Sequence, residues 1–166
     1  MGAAGSDEVT FRHELRPGDL GWVVARHGVL YAEEYGWDAT FEAVAAEIVG
    51  ALGQSTDPAR ERAWLAERDG QLVGCVFLER HSDEVAKLRL LLVEPAARGV
   101  GLGSRLVGDC VDFARRAGYR RLTLWTMHVL LPARRIYERH GLRLVHAEPC
   151  RRFGHDLISE TWELEL

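Results

Sequence analysis

The chain has 166 residues, 47% hydrophobic and 28% charged, with 21 Lys and Arg against 25 Asp and Glu for a formal net charge of −4. That composition fits one soluble globular domain and not a disordered, fibrous or membrane-spanning chain. The acidic balance argues against a protein built to neutralise nucleic-acid phosphates.

Cys75, Cys110 and Cys150 are odd in number and form no Cys-x-x-Cys pair, and the histidines show no metal-ligand spacing. No disulfide framework and no metal site are therefore expected, and a reducing, cytoplasmic setting fits best. Residues 1–10 are small and polar and read as a loose tail without secretory character, ahead of a single domain over 11–166. No stretch reaches the roughly 20 apolar residues of a membrane span.

In chain order, Phe11 to Arg16 reads as a short strand, and Pro17-Gly18-Asp19 as a turn whose aspartate caps a helix bearing Leu20, Val23, Val24 and Leu30. The aromatic, carboxylate-rich run Tyr31 to Trp37 is expected to connect it to a second helix. Phe41, Val44, Ala45, Ile48 and Leu52 give that helix its period, from Asp38 or Thr40 to Gly50 or Gly53. Strands are expected over Arg62–Arg68 and Gln71–Arg80, joined by an Asp69-Gly70 turn. A third covers Val85–Val93, which Glu94-Pro95 ends because proline cannot continue a ladder.

Leu102, Leu106, Cys110, Phe113 and Ala117 form a helical stripe that Gly118 closes, and Arg121–Met127 reads as a buried strand. Pro132 suits the first turn of a short helix over Ala133–His140, which Gly141 stops. Two final strands, Leu142–Ala147 and Ile158–Leu166, flank a loop containing Pro149 and Gly154. The order predicts an α/β (α+β) domain with one central sheet covered by helices.

The chemistry concentrates at Arg98-Gly99-Val100-Gly101-Leu102-Gly103, between a strand and a helix. The first turn of that helix offers unpaired amides and the positive end of its dipole, which together make an anion site. The glycines let a diphosphate approach the backbone, and Arg98 adds charge and donors. A glycine-rich turn alone has a plainer use as a connection. A dinucleotide fingerprint fits less well, because its third glycine would fall at Ser104 and no acidic residue ends the strand Leu122–Thr126. No Gly-Lys-Ser/Thr P-loop occurs.

Leu91-Leu92-Val93-Glu94-Pro95-Ala96-Ala97-Arg98-Gly99-Val100-Gly101-Leu102-Gly103 resembles the signature of the Gcn5-related N-acetyltransferase (GNAT) superfamily, and Ala133 to Leu142 resembles its tyrosine helix. The segment His27 to Ile48 further resembles the acetyltransferase half of MarR-acetyltransferase fusion proteins. The resemblance covers nearly the whole chain. It implies a mixed, mostly antiparallel central sheet of about seven strands flanked by about four helices, splayed open near Leu91 to Val93. It also implies transfer of an acetyl group from acetyl-CoA to a primary amine, with homodimerisation common.

By the same resemblance, a backbone amide among Leu91, Leu92 and Val93 polarises the thioester, amides from Val100 to Ser104 hold pyrophosphate, and Tyr137 protonates the departing thiolate. The base is less evident, because Lys87 and Arg89 stand where some relatives carry a glutamate. Glu33, Glu34 and Glu79 are the alternatives, with Glu33 preferred for lying in the segment that walls the acceptor pocket. Leu130 stands where many relatives carry a cofactor-contacting asparagine. A non-catalytic acyl-CoA-binding module is the competing reading of the same loop.

Overall fold

The computed structural model describes residues 7–55 and 57–166. The element order is β1 (Thr10–Arg12), α1 (Asp19–Tyr35), α2 (Ala39–Gly53), β2 (Arg62–Arg68), β3 (Gln71–Arg80), β4 (Val85–Val93), a 3-10 turn (Pro95–Ala97), α3 (Leu102–Arg116), β5 (Arg121–Met127), α4 (Leu131–Arg139), β6 (Arg143–Arg152) and β7 (His155–Glu165). The strands form one sheet in the order β1-β2-β3-β4-β5-β7-β6. Every neighbouring pair is antiparallel except β4 and β5. The mixed, mostly antiparallel sheet with four helices therefore matches the expectation, and β2 to β5 begin and end at the predicted residues.

Each face of the sheet buries its own core. On one face, Leu106, Val107, Cys110 and Phe113 of α3 pack against Trp64, Val76, Leu78, Leu88, Leu122 and Leu124. On the other, Val23 and Leu30 of α1 and Val49 and Leu52 of α2 cover Leu65, Cys75, Phe77 and Leu92. Side chains of this size contribute roughly 1.5–3 kcal/mol each when fully buried. Burial pushes the Cys75 and Cys110 thiols well above their usual range, so both are packing residues and not nucleophiles.

Strand β4 changes faces partway along. Phe77 of β3 opposes Arg89 while Cys75 opposes Leu92, so Leu90 and Leu91 together stand opposite Val76. This two-against-one mismatch is a β-bulge, and Leu90 adopts φ 57° within it. Before the bulge Leu88 packs toward α3; after it Leu92 packs toward α1 and α2.

Besides β1 ending at Arg12 instead of Arg16 and α4 running Leu131–Arg139 instead of Ala133–His140, four features differ from the sequence expectation. Thr10 already belongs to β1 and Val9 packs on the core, so the chain is anchored before residue 11; residues 1–6 of the expected tail lie outside the described residues. Tyr31 to Tyr35 is the last turn of α1 and not a connection, because helix geometry persists until Gly36, at φ 71°, turns the chain. Strands β6 and β7 are longer than expected and meet at a two-residue turn, Phe153-Gly154, with φ 56° and 82°. Pro149 lies within β6 opposite Ile158, which is tolerable because β6 is the sheet edge.

The fourth difference is Asp19. Gly18 takes the cap position of α1, and the Asp19 carboxylate instead accepts from the Arg16 amide at 2.6 Å and Arg12 at 2.7 Å. Arg12 also reaches Glu67 at 2.7 Å, tying β1, α1 and β2 together. Burial raises the Asp19 carboxyl, but the Arg12 and Arg16 donors and their charges outweigh it and hold it below the usual range. Arg12→Ala leaves this 6% exposed carboxylate without its guanidinium. We expect a loss of about 3 kcal/mol at pH 7, and a thermal midpoint lower by about 6–12 °C. A depressed native pKa contributes stability above the unfolded value of about 3.9 and loses it as pH falls through the native value. Below about pH 4 the parent should therefore lose stability more steeply than the variant, as urea titrations across pH would show.

Candidate active site

Pairing between β4 and β5 lasts three residues, Val85 with Arg121, Ala86 with Leu122 and Lys87 with Thr123. Both strands then continue, to Val93 and Met127, without pairing. Three connected cavities follow this divergence. A cleft of about 460 Å³ lies on the side of the glycine-rich loop. A second cavity of about 430 Å³ lies against α2, lined by Glu79, Arg89 and Trp125. Between them is a throat of about 80 Å³ that shares Tyr31, Leu91, Leu130 and Ala133 with the first and Val44, Ile48, Arg89 and Trp125 with the second.

The loop forms the floor of the 460 Å³ cleft. Gly101 caps α3 at φ 81°, and the Arg105 amide makes the first bond of the helix, to Gly101 O. The amides of Leu102, Gly103 and Ser104 therefore precede the helical ladder and are available to an anion. Gly103 lets this turn approach α4: a Cβ there would meet Ile136 Cδ1 at 2.9 Å. Helix α1 holds both ends of the loop, through Arg26 with Glu94 at 2.5 Å and Glu34 with Arg98 at 2.8 Å.

Of the residues expected at the cofactor, Leu91, Leu92, Val93, Arg98, Gly99, Gly101, Leu102, Gly103 and Ser104 all line this cleft. The Val100 side chain does not; it stands 75% exposed at the tip of the turn. Arg98 is less free than expected, because its Nε donates to Val93 O at 3.0 Å while its terminal nitrogen pairs with Glu34. Sequence reasoning missed Arg135 and Arg139, which also line the cleft and have no ion-pair partner among the described residues. Their spacing of four on α4 was the available signal, since it places both on one helix face.

Tyr137 faces the throat from α4, 5% exposed, and its hydroxyl makes no hydrogen bond among the described residues. Burial first, then the Cys110 thiol, raises its phenol above the usual value, so it stays protonated at neutral pH. Tyr31 of α1 joins it there, with its phenol raised by burial and then by Tyr137. Tyr31 lines both the throat and the loop cleft and is partly exposed.

Glu33 is exposed on α1 and lines none of the three cavities, whereas Glu34 lines the loop cleft and Glu79 the cavity against α2. His27 was not singled out from sequence, yet it lines the throat at 2% exposure. Its Nδ1 lies 2.7 Å from Val23 O, which puts the proton there and leaves Nε2 as an acceptor without a partner among the described residues. Burial pushes its pKa down to about 4 against the raising effect of Val23, so the ring is neutral near pH 7. The Trp37 Nε1–H, in the same throat, is equally unpartnered. Among the described residues no group of three or more His, Cys, Asp or Glu is placed to hold a metal.

A sheet that opens between two parallel strands beside an amide-lined helix start sets an unpaired backbone edge next to an anion site. The chain belongs to the acetyltransferase (GNAT) family, whose family model matches residues 20–142. An uncharacterized N-acetyltransferase of Schizosaccharomyces pombe is 29% identical over 114 residues, covering 68% of this chain and 70% of that protein. Mycothiol acetyltransferase of Thermomonospora curvata is 35% identical over 78 residues, covering 47% of this chain but only 26% of that protein. Among solved structures, an acetyltransferase from Salmonella typhimurium, determined with acetyl-CoA, superposes with a TM-score of 0.73 at 20% identity, covering 96% of this chain and 94% of that one. At that identity the likeness speaks for the fold.

The cradle yields a direct test. The φ of 81° at Gly101 lies where a branched side chain is strained, although the space around it is open. Gly101→Val should therefore distort the turn that aims the three amides and weaken acetyl-CoA binding about tenfold or more in calorimetric titration, with circular dichroism unchanged.

Proposed function

We propose that this chain transfers the acetyl group of acetyl-CoA to a primary amine, with the two substrates entering the throat from opposite sides. One observation carries the reading: two cavities, one with an anion cradle and one without, adjoin a common throat walled by Tyr137. A non-catalytic acyl-CoA-binding module would use the first cavity and leave the second without a purpose.

In this reading the pyrophosphate lies on the amides of Leu102, Gly103 and Ser104, with Arg135 and Arg139 supplying positive charge along the cleft. The pantetheine arm follows the unpaired edge of β4 beyond Lys87, where a backbone amide among Leu91, Leu92 and Val93 polarises the thioester carbonyl. The neutral amine attacks that carbon, the carbon–sulfur bond breaks, and the Tyr137 hydroxyl gives its proton to the thiolate. Apolar throat walls favour the neutral amine, because desolvation penalises an ammonium. The proton lost by the attacking nitrogen leaves through the second cavity, whose carboxylates are Glu79 and Glu47, and Tyr137 regains a proton from solvent before the next turnover. Glu79 is the better-placed base than Glu33, since only Glu79 lines the acceptor's path.

The acetyltransferase relatives carry names with different acceptors, so none is transferred to this chain. Free thiols at Cys75, Cys110 and Cys150 support a reducing, cytoplasmic setting, and the net charge of −4 supports action without a nucleic-acid partner. Among the described residues no helix is long and apolar enough to cross a membrane. The narrower kinship with MarR-fused acetyltransferases rests on the sequence of residues 27–48 alone, and homodimerisation on the family resemblance alone.

Tyr137→Phe keeps the ring and its packing and deletes the proton donor. We expect kcat to fall on the order of 10²-fold with little change in acetyl-CoA affinity, read by thiol release and calorimetry. A variant turning over at the parent rate would remove Tyr137 as the acid.

The base is tested by a pair of variants. Glu79→Gln retains an acceptor for Arg89 Nε, and its rate should fall at neutral pH but recover as rising pH supplies neutral amine. Glu33→Gln should give a rate–pH profile superimposable on the parent. The opposite pattern would return the role to Glu33.

A further inference from the structure

The second cavity carries more charge than proton removal requires. Lys87, Arg89 and Arg152 face it against Glu47 and Glu79, leaving one positive charge in excess. Glu79 is committed to Arg89, at 3.0 Å. Lys87 and Arg152 have no carboxylate within 4.0 Å among the described residues. Lys87 is half-buried on β4 directly across from Glu79 of β3; burial and then Arg89 lower its ammonium pKa and Glu79 raises it, so the cation there is only partly compensated. The Arg152 guanidinium is positioned by rings, 5.1 Å from the centroids of both Trp125 and Phe153, which leaves its donor fork free for a planar anion.

We propose that the acceptor is a small primary amine bearing one carboxylate, which Lys87 and Arg152 hold in this cavity while the amine reaches the throat. The single excess positive charge suits a monoanion; a phosphate dianion would face Glu47 and Glu79 across the same space. A second cationic group on the acceptor would instead meet Lys87 and Arg152. Arg89 and Trp125 line both the cavity and the throat, so a short molecule reaches from one to the other. The inference rests on the transferase reading, because it takes the second cavity as the acceptor's side.

The test uses the full chain with acetyl-CoA and matched pairs of amines, namely leucine, phenylalanine, β-alanine and 4-aminobutanoate, each against its own carboxamide. Rates are read by thiol release and corrected for the fraction of neutral amine at the assay pH. At least one acid should exceed its amide by about tenfold or more in kcat/KM, as expected for a charge-assisted hydrogen bond. Lys87→Gln and Arg152→Gln should each raise KM for that acid by a similar factor, keep kcat and acetyl-CoA affinity near the parent values, and bring the acid-to-amide ratio toward one. Equal use of acid and amide by the parent, retention of the ratio by both variants, or acetylation of peptides alone would overturn the proposal while leaving the transferase reading intact. Acetyl-CoA binding without turnover of any amine or peptide would overturn both.

Discussion

The separation of β4 from β5 after Lys87 and Thr123 is the constraint on which the rest of the site depends. Two parallel strands in the middle of a sheet ordinarily continue their ladder, since unpaired backbone groups in the interior carry a desolvation cost. Here the bulge at Leu90 inserts a residue into β4, turns Leu92 to the opposite face and ends the alternation that would have kept the strands in register. The edge left open is where a polar, extended ligand can complete the backbone's hydrogen bonds. The Cys75 thiol, 3.3 Å from Leu90 O, supplies one internal partner for this irregular segment.

Helix α1 converts the opening into a defined site. Its Arg26 and Glu34 reach Glu94 and Arg98, so the strand end and the turn before α3 are both fastened to one rigid element. The same helix brings His27 and Tyr31 to the throat, four residues apart and with their rings stacked at 5.8 Å. A displacement of α1 would therefore disturb the anion cradle and the reacting end together, although they lie in different cavities.

On the other side, the β6–β7 hairpin closes the throat. Phe153 sits at a φ of 56° that a bulky residue rarely adopts, and is held there by Trp37 at 4.8 Å and Phe41 at 5.1 Å. The Asp38 amide donates to Phe153 O at 3.1 Å, so the start of α2 and the hairpin tip are joined by both backbone and rings. Strain at this turn is sustained by aromatic burial, and its result is to place Phe153 in the throat and Arg152 beside it in the second cavity.

By itself, the sequence determined what local interactions decide. The Asp69-Gly70 turn, the ends of β2 to β5, the glycine loop before α3 and the short helix carrying Tyr137 all follow from dihedral preference, period and proline or glycine punctuation within a few residues. The residues of the anion cradle were legible for the same reason, because a helix start and its loop are contiguous in the chain. Only the tertiary structure decided where Glu33, Glu34 and Glu79 point, since neighbouring positions on α1 face different surroundings once the helix docks. It alone extended β6 through Pro149, because whether proline is tolerated depends on the strand being an edge. It alone assembled the throat, where His27 and Trp37 from α1 and its C-terminal turn, Trp125 from β5 and Phe153 from the β6–β7 turn come from three stretches far apart in sequence and no local pattern encodes their meeting. Their convergence depends on long-range packing around the gap between β4 and β5.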